Sequence, residues 1–194
     1  MDKKYEILND DCIIFNGHKL FRIRALKKFQ TILGLTVNTG DLGGYIQSEK
    51  NLSQDGKSWV VGNAKVFDNA RVYGNACVYG DACVCENACV SNNARVYGNA
   101  WVFENAYVYD NAYVCGNARV HDDACVFENA CVYGDASVFG DAYVYGNARV
   151  HNDARVYGDA RVYGDACVCE NAQVFGNAVV CDTEVLGDTL AQNA

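Results

Sequence analysis

The sequence predicts an all-β chain whose body is a parallel β-helix, and three observations carry that reading. Valine recurs every sixth residue from Val60 to Val180, 21 times in register, with Leu186 following in phase. Alanine keeps the same period from Ala64 to Ala178, 20 times without a break. Proline is absent from all 194 residues, so no strand is denied a backbone donor. A period of six is neither the 3.6 of a helix nor the 2 of a plain strand. It is an internal repeat, and repeats of this kind build solenoids.

The unit is A-x-V-[YFC]-[GED]-[ND]. Alanine and valine are two apart and point to one side of a strand, while x and the aromatic point to the other. The pair that follows, Gly-Asn, Gly-Asp or Glu-Asn, has turn chemistry and tolerates unusual backbone angles. Each hexad is therefore a short strand and a corner, and three hexads close a triangular coil of 18 residues. About seven coils stacked some 4.8 Å apart give a prism of roughly 34 Å. Asn and Asp at the corners are placed to form vertical hydrogen-bonded ladders.

Ahead of the repeat, residues 5–8 (YEIL) and 12–15 (CIIF) read as strands, and Asn16-Gly17 is a hairpin turn. Leu20, Phe21, Ile23, Leu26 and Phe29 supply an apolar set beside Arg22, Arg24, Lys27 and Lys28. The chain divides into an N-terminal capping module (1–57) that hides the open edge of the first coil, a repeat body (58–186) and a short tail (187–194). The basic residues of the cap are an alternative recognition surface. The thinly covered last coil is expected to favour end-to-end or side-by-side pairing.

The body resembles the hexapeptide-repeat family, which implies a left-handed parallel β-helix; the left hand comes from the resemblance, since ordinary crossovers are right-handed. Residues 22–60, with RIRALKKF and NTGDLGGYIQSEKNLSQDGKSWV, resemble the leader of phage and prophage hexapeptide-repeat proteins. The best-known activity of that family is acyl transfer from coenzyme A or an acyl carrier, with a catalytic histidine and protruding loops at a trimer interface. This chain departs from the pattern, because Ser58 to Leu186 contains no insertion. His121 and His151 both fill the outward slot after valine, five hexads apart, where a surface role explains them. The γ-class carbonic anhydrases hold zinc with three histidines; here only His18, His121 and His151 exist, with no close pair, so no metal or cofactor is expected.

Composition narrows the partners. The net charge is −8, and residues 58–186 carry seven Lys/Arg against sixteen Asp/Glu. Such a body offers little to phosphates, which excludes direct nucleic-acid binding. There is no apolar stretch of membrane-spanning length. The N-terminus lacks an apolar signal region, and the odd count of 11 cysteines fits reduced thiols, so a cytoplasmic location is expected. No two cysteines share the 18-residue stacking interval, which argues for free, partly exposed thiols.

Two surface features point to a binding role. The first corner position reads Asp68, Glu86, Glu104, Asp122 down one edge and Asn92, Asp110, Glu128 down the next, while the third edge holds Gly62, Gly80, Gly98, Gly116 and Gly134. Stacked carboxylates repel, so rows of them suggest a use for the charge; solvated, solubilising corners are the alternative explanation. The slot after valine is mostly aromatic, and Tyr107, Tyr109, Tyr143 and Tyr145 are expected at a homo-oligomer interface. The expectation is a non-catalytic phage-type protein that inhibits a host nucleic-acid-binding defence complex, anti-CRISPR-like or anti-restriction-like, by duplex mimicry or occlusion. Glu86, Glu104, Asp122, Asp68, Asp110 and Glu128 are its expected partner-binding residues, and reversing three of them to Lys is expected to abolish target binding while leaving stability unchanged or higher. An acyl-CoA-dependent acyltransferase and a structural or polymer-forming protein are the alternatives.

Overall fold

In the computed structural model, which describes residues 3–187 and 190–192, the hexads coil into a parallel β-solenoid of about eight turns with three faces. Each hexad contributes a short strand that pairs with the one 18 residues on, until the last coil, where Cys167–Val168 pairs with Glu184–Val185 at 17. Val185 rather than the expected Leu186 therefore takes the inward place, and Leu186 is exposed. Cys83–Val84 pairs with Trp101–Val102 on face I, Cys89–Val90 with Tyr107–Val108 on face II, and Arg95–Val96 with Tyr113–Val114 on face III. Every repeat alanine and valine is buried, from Val60 to Val180. Each buried valine contributes roughly 1.5–3 kcal/mol of transfer free energy, and the strict period places all of them in one continuous core.

The corners are four-residue turns. At the one after Val102, the Ala106 N–H donates to the Phe103 carbonyl at 3.3 Å, with φ +57° at Glu104. The second corner residue builds the expected ladders. Along the I–II edge Asn69, Asn87 and Asn105 each donate Nδ2–H to Oδ1 one coil on, at 3.1–3.2 Å, ending on Asp123. The II–III ladder runs from Asn75 through Asn93, Asn111, Asn129 and Asn147 to Asp165. An Asp at the foot accepts without needing a partner for an amide N–H, so Asn-to-Asp order gives each run a direction.

Outside, aromatic rings stack at the coil spacing. Phe103, His121, Phe139, Tyr157 and Phe175 form a column on face I, with centroids 4.7–5.3 Å apart and planes within 12°. Each such cross-strand pair contributes about 0.2–1 kcal/mol.

The N-terminal segment forms β1 (Tyr5–Phe15) and β2 (His18–Ala25), an antiparallel hairpin whose turn, Asn16-Gly17, has positive φ at both residues. The two strands expected at 5–8 and 12–15 are one, interrupted by a register shift between Ile7 and Cys12. Short strands β3 (Phe29–Gln30) and β4 (Thr36–Val37) pair with each other. Strand β5 (Leu42–Ile46) then pairs antiparallel with β2 and parallel with Lys65–Val66. The first coil thus begins at Leu42, inside residues 1–57, and continues through a Leu52–Val72 bridge to Trp59–Val60. Gly43 and Gly44 permit this junction, because a Cβ on either would come within 2.8 Å of Ile23, Val60 or Ala64 atoms. Buried Asn51 secures the coil, donating to the Asp68 and Ala70 carbonyls at 3.0 and 2.9 Å while accepting from Ser48 N–H.

The hairpin caps more than the end. Its tip drapes down the outside of face I, where Phe15 contacts Phe67 and Trp101 and Leu20 packs with Cys85. Cys77, Cys83, Cys85 and Cys169 are buried, which corrects the expectation of partly exposed thiols for these four. Burial pushes the Cys83 thiol up to about 11 and the Cys85 thiol up to about 12. Of the tail, Leu190–Gln192 adds a strand beyond Gln173–Phe175, and residues 188–189 and 193–194 lie outside the described residues. Among the described residues no helix is long and apolar enough to cross a membrane.

Candidate interaction face

The topology brings the expected site residues to one side of the prism. Face II carries Tyr107, Tyr109, Tyr143 and Tyr145. Its edge with face I holds Asp68, Glu86, Glu104 and Asp122, and its edge with face III holds Asp110 and Glu128. The glycine-rich edge lies between faces III and I, away from them. An aromatic surface with acidic rims follows from which hexads fall on which face.

The carboxylates are built into the turns. Every one of the six has φ between +56° and +58°, a left-handed conformation that costs a residue with a Cβ about 1 kcal/mol. Part of that cost is offset one coil on. Glu104 Oε2 accepts the Asp122 N–H at 2.7 Å, Asp122 Oδ2 accepts the Gly140 N–H at 2.9 Å, and Glu128 Oε2 accepts the Gly146 N–H at 2.8 Å. Lysine reversal, expected to leave stability unchanged or higher, would remove these acceptors. Repulsion between neighbouring rim carboxylates about 4.8 Å apart is under about 1 kcal/mol in a water-like dielectric.

Glu104, Asp122 and His121 converge on the I–II rim. His121 Nδ1 lies 3.6 Å from Glu104 Oε2 and 3.5 Å from Asp122 Oδ1, its ring stacked between Phe103 and Phe139. The contact with Asp122 raises the Glu104 pKa, and the hydrogen bond with Glu104 holds Asp122 below its usual range. Glu104 thus keeps its proton to a higher pH than Asp122. Stacking on both sides makes the imidazole a rung of the aromatic column.

Face II is the open face. The hairpin covers the top of face I, and Phe29 lies against Trp59 at the top of face III. In residues 58–186 the exposed large apolar residues are Tyr73, Tyr107, Tyr143, Val179 and Leu186, and the first four lie on face II. Tyr107 and Tyr143 are 47% and 40% exposed, which leaves their rings available for contact. Beside them Tyr109, Phe127, Tyr145 and Tyr163 stack at 4.9–5.0 Å, a flat and rigid platform. A shallow groove lies among Phe127, Tyr143, Tyr145 and Arg161. A second, polar groove follows the II–III edge along Asn75, Asn93, Asn111, Asn129, Asp110 and Glu128.

On the I–II edge the sequence reading missed three acidic residues. Exposed Asp123, Asp141 and Asp159 occupy the second corner position of the I–II edge, below Asp122. They extend that rim from Asp68 to Asp159. Their 18-residue spacing was the available signal, hidden because the first corner position turns to glycine at Gly140 and Gly158.

Four windows of this repeat, residues 64–80, 70–86, 88–104 and 154–170, match the family model described as YdcK Beta solenoid repeat. The body is similar to the YdcK solenoid repeat. The matched windows fall on the upper and lower coils, and with the parallel ladders they support a repeat β-helix family. A comparison with curated proteins finds no match. What the solenoid repeat positions here is a set of surface rows, each side chain repeated at the coil spacing on a backbone locked by hydrogen bonds.

Proposed function

We propose that this chain is a non-catalytic interaction protein that binds a basic, nucleic-acid-binding protein through face II and its acidic rims. The observation that carries the reading is the convergence of exposed Tyr107 and Tyr143 with carboxylate rows on both bordering edges. Aromatic residues anchor protein interfaces, and rims of one sign select partners of the other. Two copies meeting through this face would bring acidic rims together, so the chemistry favours a basic partner over self-pairing there. Rows of negative charge on a rigid rod imitate the phosphate rows of a duplex, and the partner's phosphate-binding cations would be the groups engaged. The phage setting implied by the leader makes such a complex of a bacterial host the target, with inhibition by occlusion as the outcome.

The test uses tagged protein against nuclease-treated bacterial lysate, beside a Glu104→Gln/Asp122→Asn/Glu128→Gln variant. The amides keep an acceptor oxygen for the coil below while removing the charge. A basic partner captured by the parent, released by rising salt and lost in the variant is the expected result. Equal capture by the variant overturns the rim reading.

A further inference from the structure

Face III carries a second constellation near the C-terminal end, distant in role from the acidic rims. His151 follows Val150, and Cys167 and Cys169 flank Val168 on the next coil. The His151 ring nitrogens and the two thiol sulfurs offer one ligand atom each within 4.8 Å of one another. His151 Nε2 lies 3.4 Å from Cys167 Sγ. A tetrahedral zinc centre with ordinary Zn–N and Zn–S bonds has an N···S edge of about 3.6 Å.

We propose that His151, Cys167 and Cys169 form a binding site for a thiophilic divalent cation of the zinc class, joining two successive coils. Two thiolates and an imidazole are the donors such an ion prefers, and three protein ligands leave a fourth position for water or a carboxylate. Glu184 is paired in register with Cys167 on the following strand, which places a carboxylate beside the site. The scaffold is rigid: the N–H groups of His151, Cys167 and Cys169 donate to Val168, Thr183 and Val185 carbonyls at 2.9, 2.9 and 3.0 Å. Tyr133 stacks on the His151 ring at 4.6 Å and fixes its plane. Counting histidines could not find this site, since two of its three ligands are cysteines: Cys169 lies 18 residues on from His151, at the stacking interval, and Cys167 lies 16 on.

Binding converts both thiols to thiolates and releases their two protons to solvent. The Cys169 thiol is pushed up to about 11 by burial and by the neighbouring Cys167, so the ion must displace a firmly held proton. Because two protons leave, apparent affinity should climb about a hundredfold per pH unit while both thiols are protonated.

The experiment titrates the reduced full chain with Co²⁺ and then Zn²⁺. One equivalent with a thiolate-to-cobalt charge-transfer band, bleached by zinc and accompanied by a raised Tm, is expected. Cys167→Ser/Cys169→Ser and His151→Gln should lose the band and the Tm shift, while Cys125→Ser on face II keeps both. Far-ultraviolet circular dichroism confirms that each variant is folded. Absence of the band at pH 8 in the parent, or its persistence in the double variant, overturns the proposal.

Discussion

Glu104 Oε2 accepts the backbone N–H of Asp122, one coil on, at 2.7 Å. The rim carboxylates thus stitch coils together as well as carrying charge. Glutamine at position 104 should change stability by less than about 0.5 kcal/mol, whereas lysine, which cannot accept, should cost about 1 kcal/mol. Urea denaturation of the two variants separates the roles. Equal stability for both would show that the bond contributes nothing.

The Asn ladders make a related prediction. Asn111 accepts from Asn93 at 3.1 Å and donates to Asn129 at 3.3 Å. Asn111→Ala should lose about 1 kcal/mol for the two exposed bonds together, and Asp165→Asn, at the foot of the same ladder, much less. A larger loss at position 165 than at 111 contradicts the directional reading of the ladder.

Phe15, on the hairpin tip, lies 5.9 Å from Phe67 and 6.2 Å from Trp101 by ring centroid. Truncation to alanine should cost about 1–2 kcal/mol, below the cost of a fully buried phenylalanine because Phe15 is only partly covered. It should also speed disulfide-exchange labelling of Cys85, which packs in the same cluster. In the parent, exposed Cys12 should label first and Cys85 only on unfolding. Rapid labelling of Cys85 in the parent would show that the hairpin does not seal face I.

Alkaline pH tests the same burial with a worked sign. Cys83 and Cys85 hold their protons to about 11 and 12, against an ordinary 9.0, so the unfolded chain loses protons first as pH rises. Their contribution is fully present below pH 9 and is lost between pH 9 and 11–12, by a few kcal/mol at most. Buried Lys4 has the opposite sign. Desolvation lowers its pKa from 10.5 to about 8, so deprotonation of the folded form adds stability from pH 8 to 10.5. The parent minus Lys4→Met difference in stability should rise across that window, as measured by denaturant titration at each pH. A flat difference places the ammonium in water.

Most of the body was legible because one period places its residues: inward valine and alanine, outward aromatics and Asn at corners all follow from six residues and three faces, whereas the 17-residue step from Cys167 to Glu184 does not. The cap was only partly legible. Gly43 and Gly44 look like turn residues in sequence, yet they serve a close approach of β5 to Ile23, Val60 and Ala64. The draping of Phe15 over Trp101 joins residues 86 positions apart with no periodic signal between them. The site residues were readable as rows, but not that the face between them stays open, which depends on which faces the cap covers. The acceptor role of Glu104 and Glu128 needed atomic positions.

The most direct test of the interaction reading is displacement by nucleic acid. Partner captured on immobilised chain would be challenged with a short DNA or RNA duplex at fixed salt, and the released fraction measured. Release by the duplex, with reciprocal loss of duplex binding when free chain is added to the partner, is the expected result. A partner that binds the chain and the duplex together, without competition, would contradict the account.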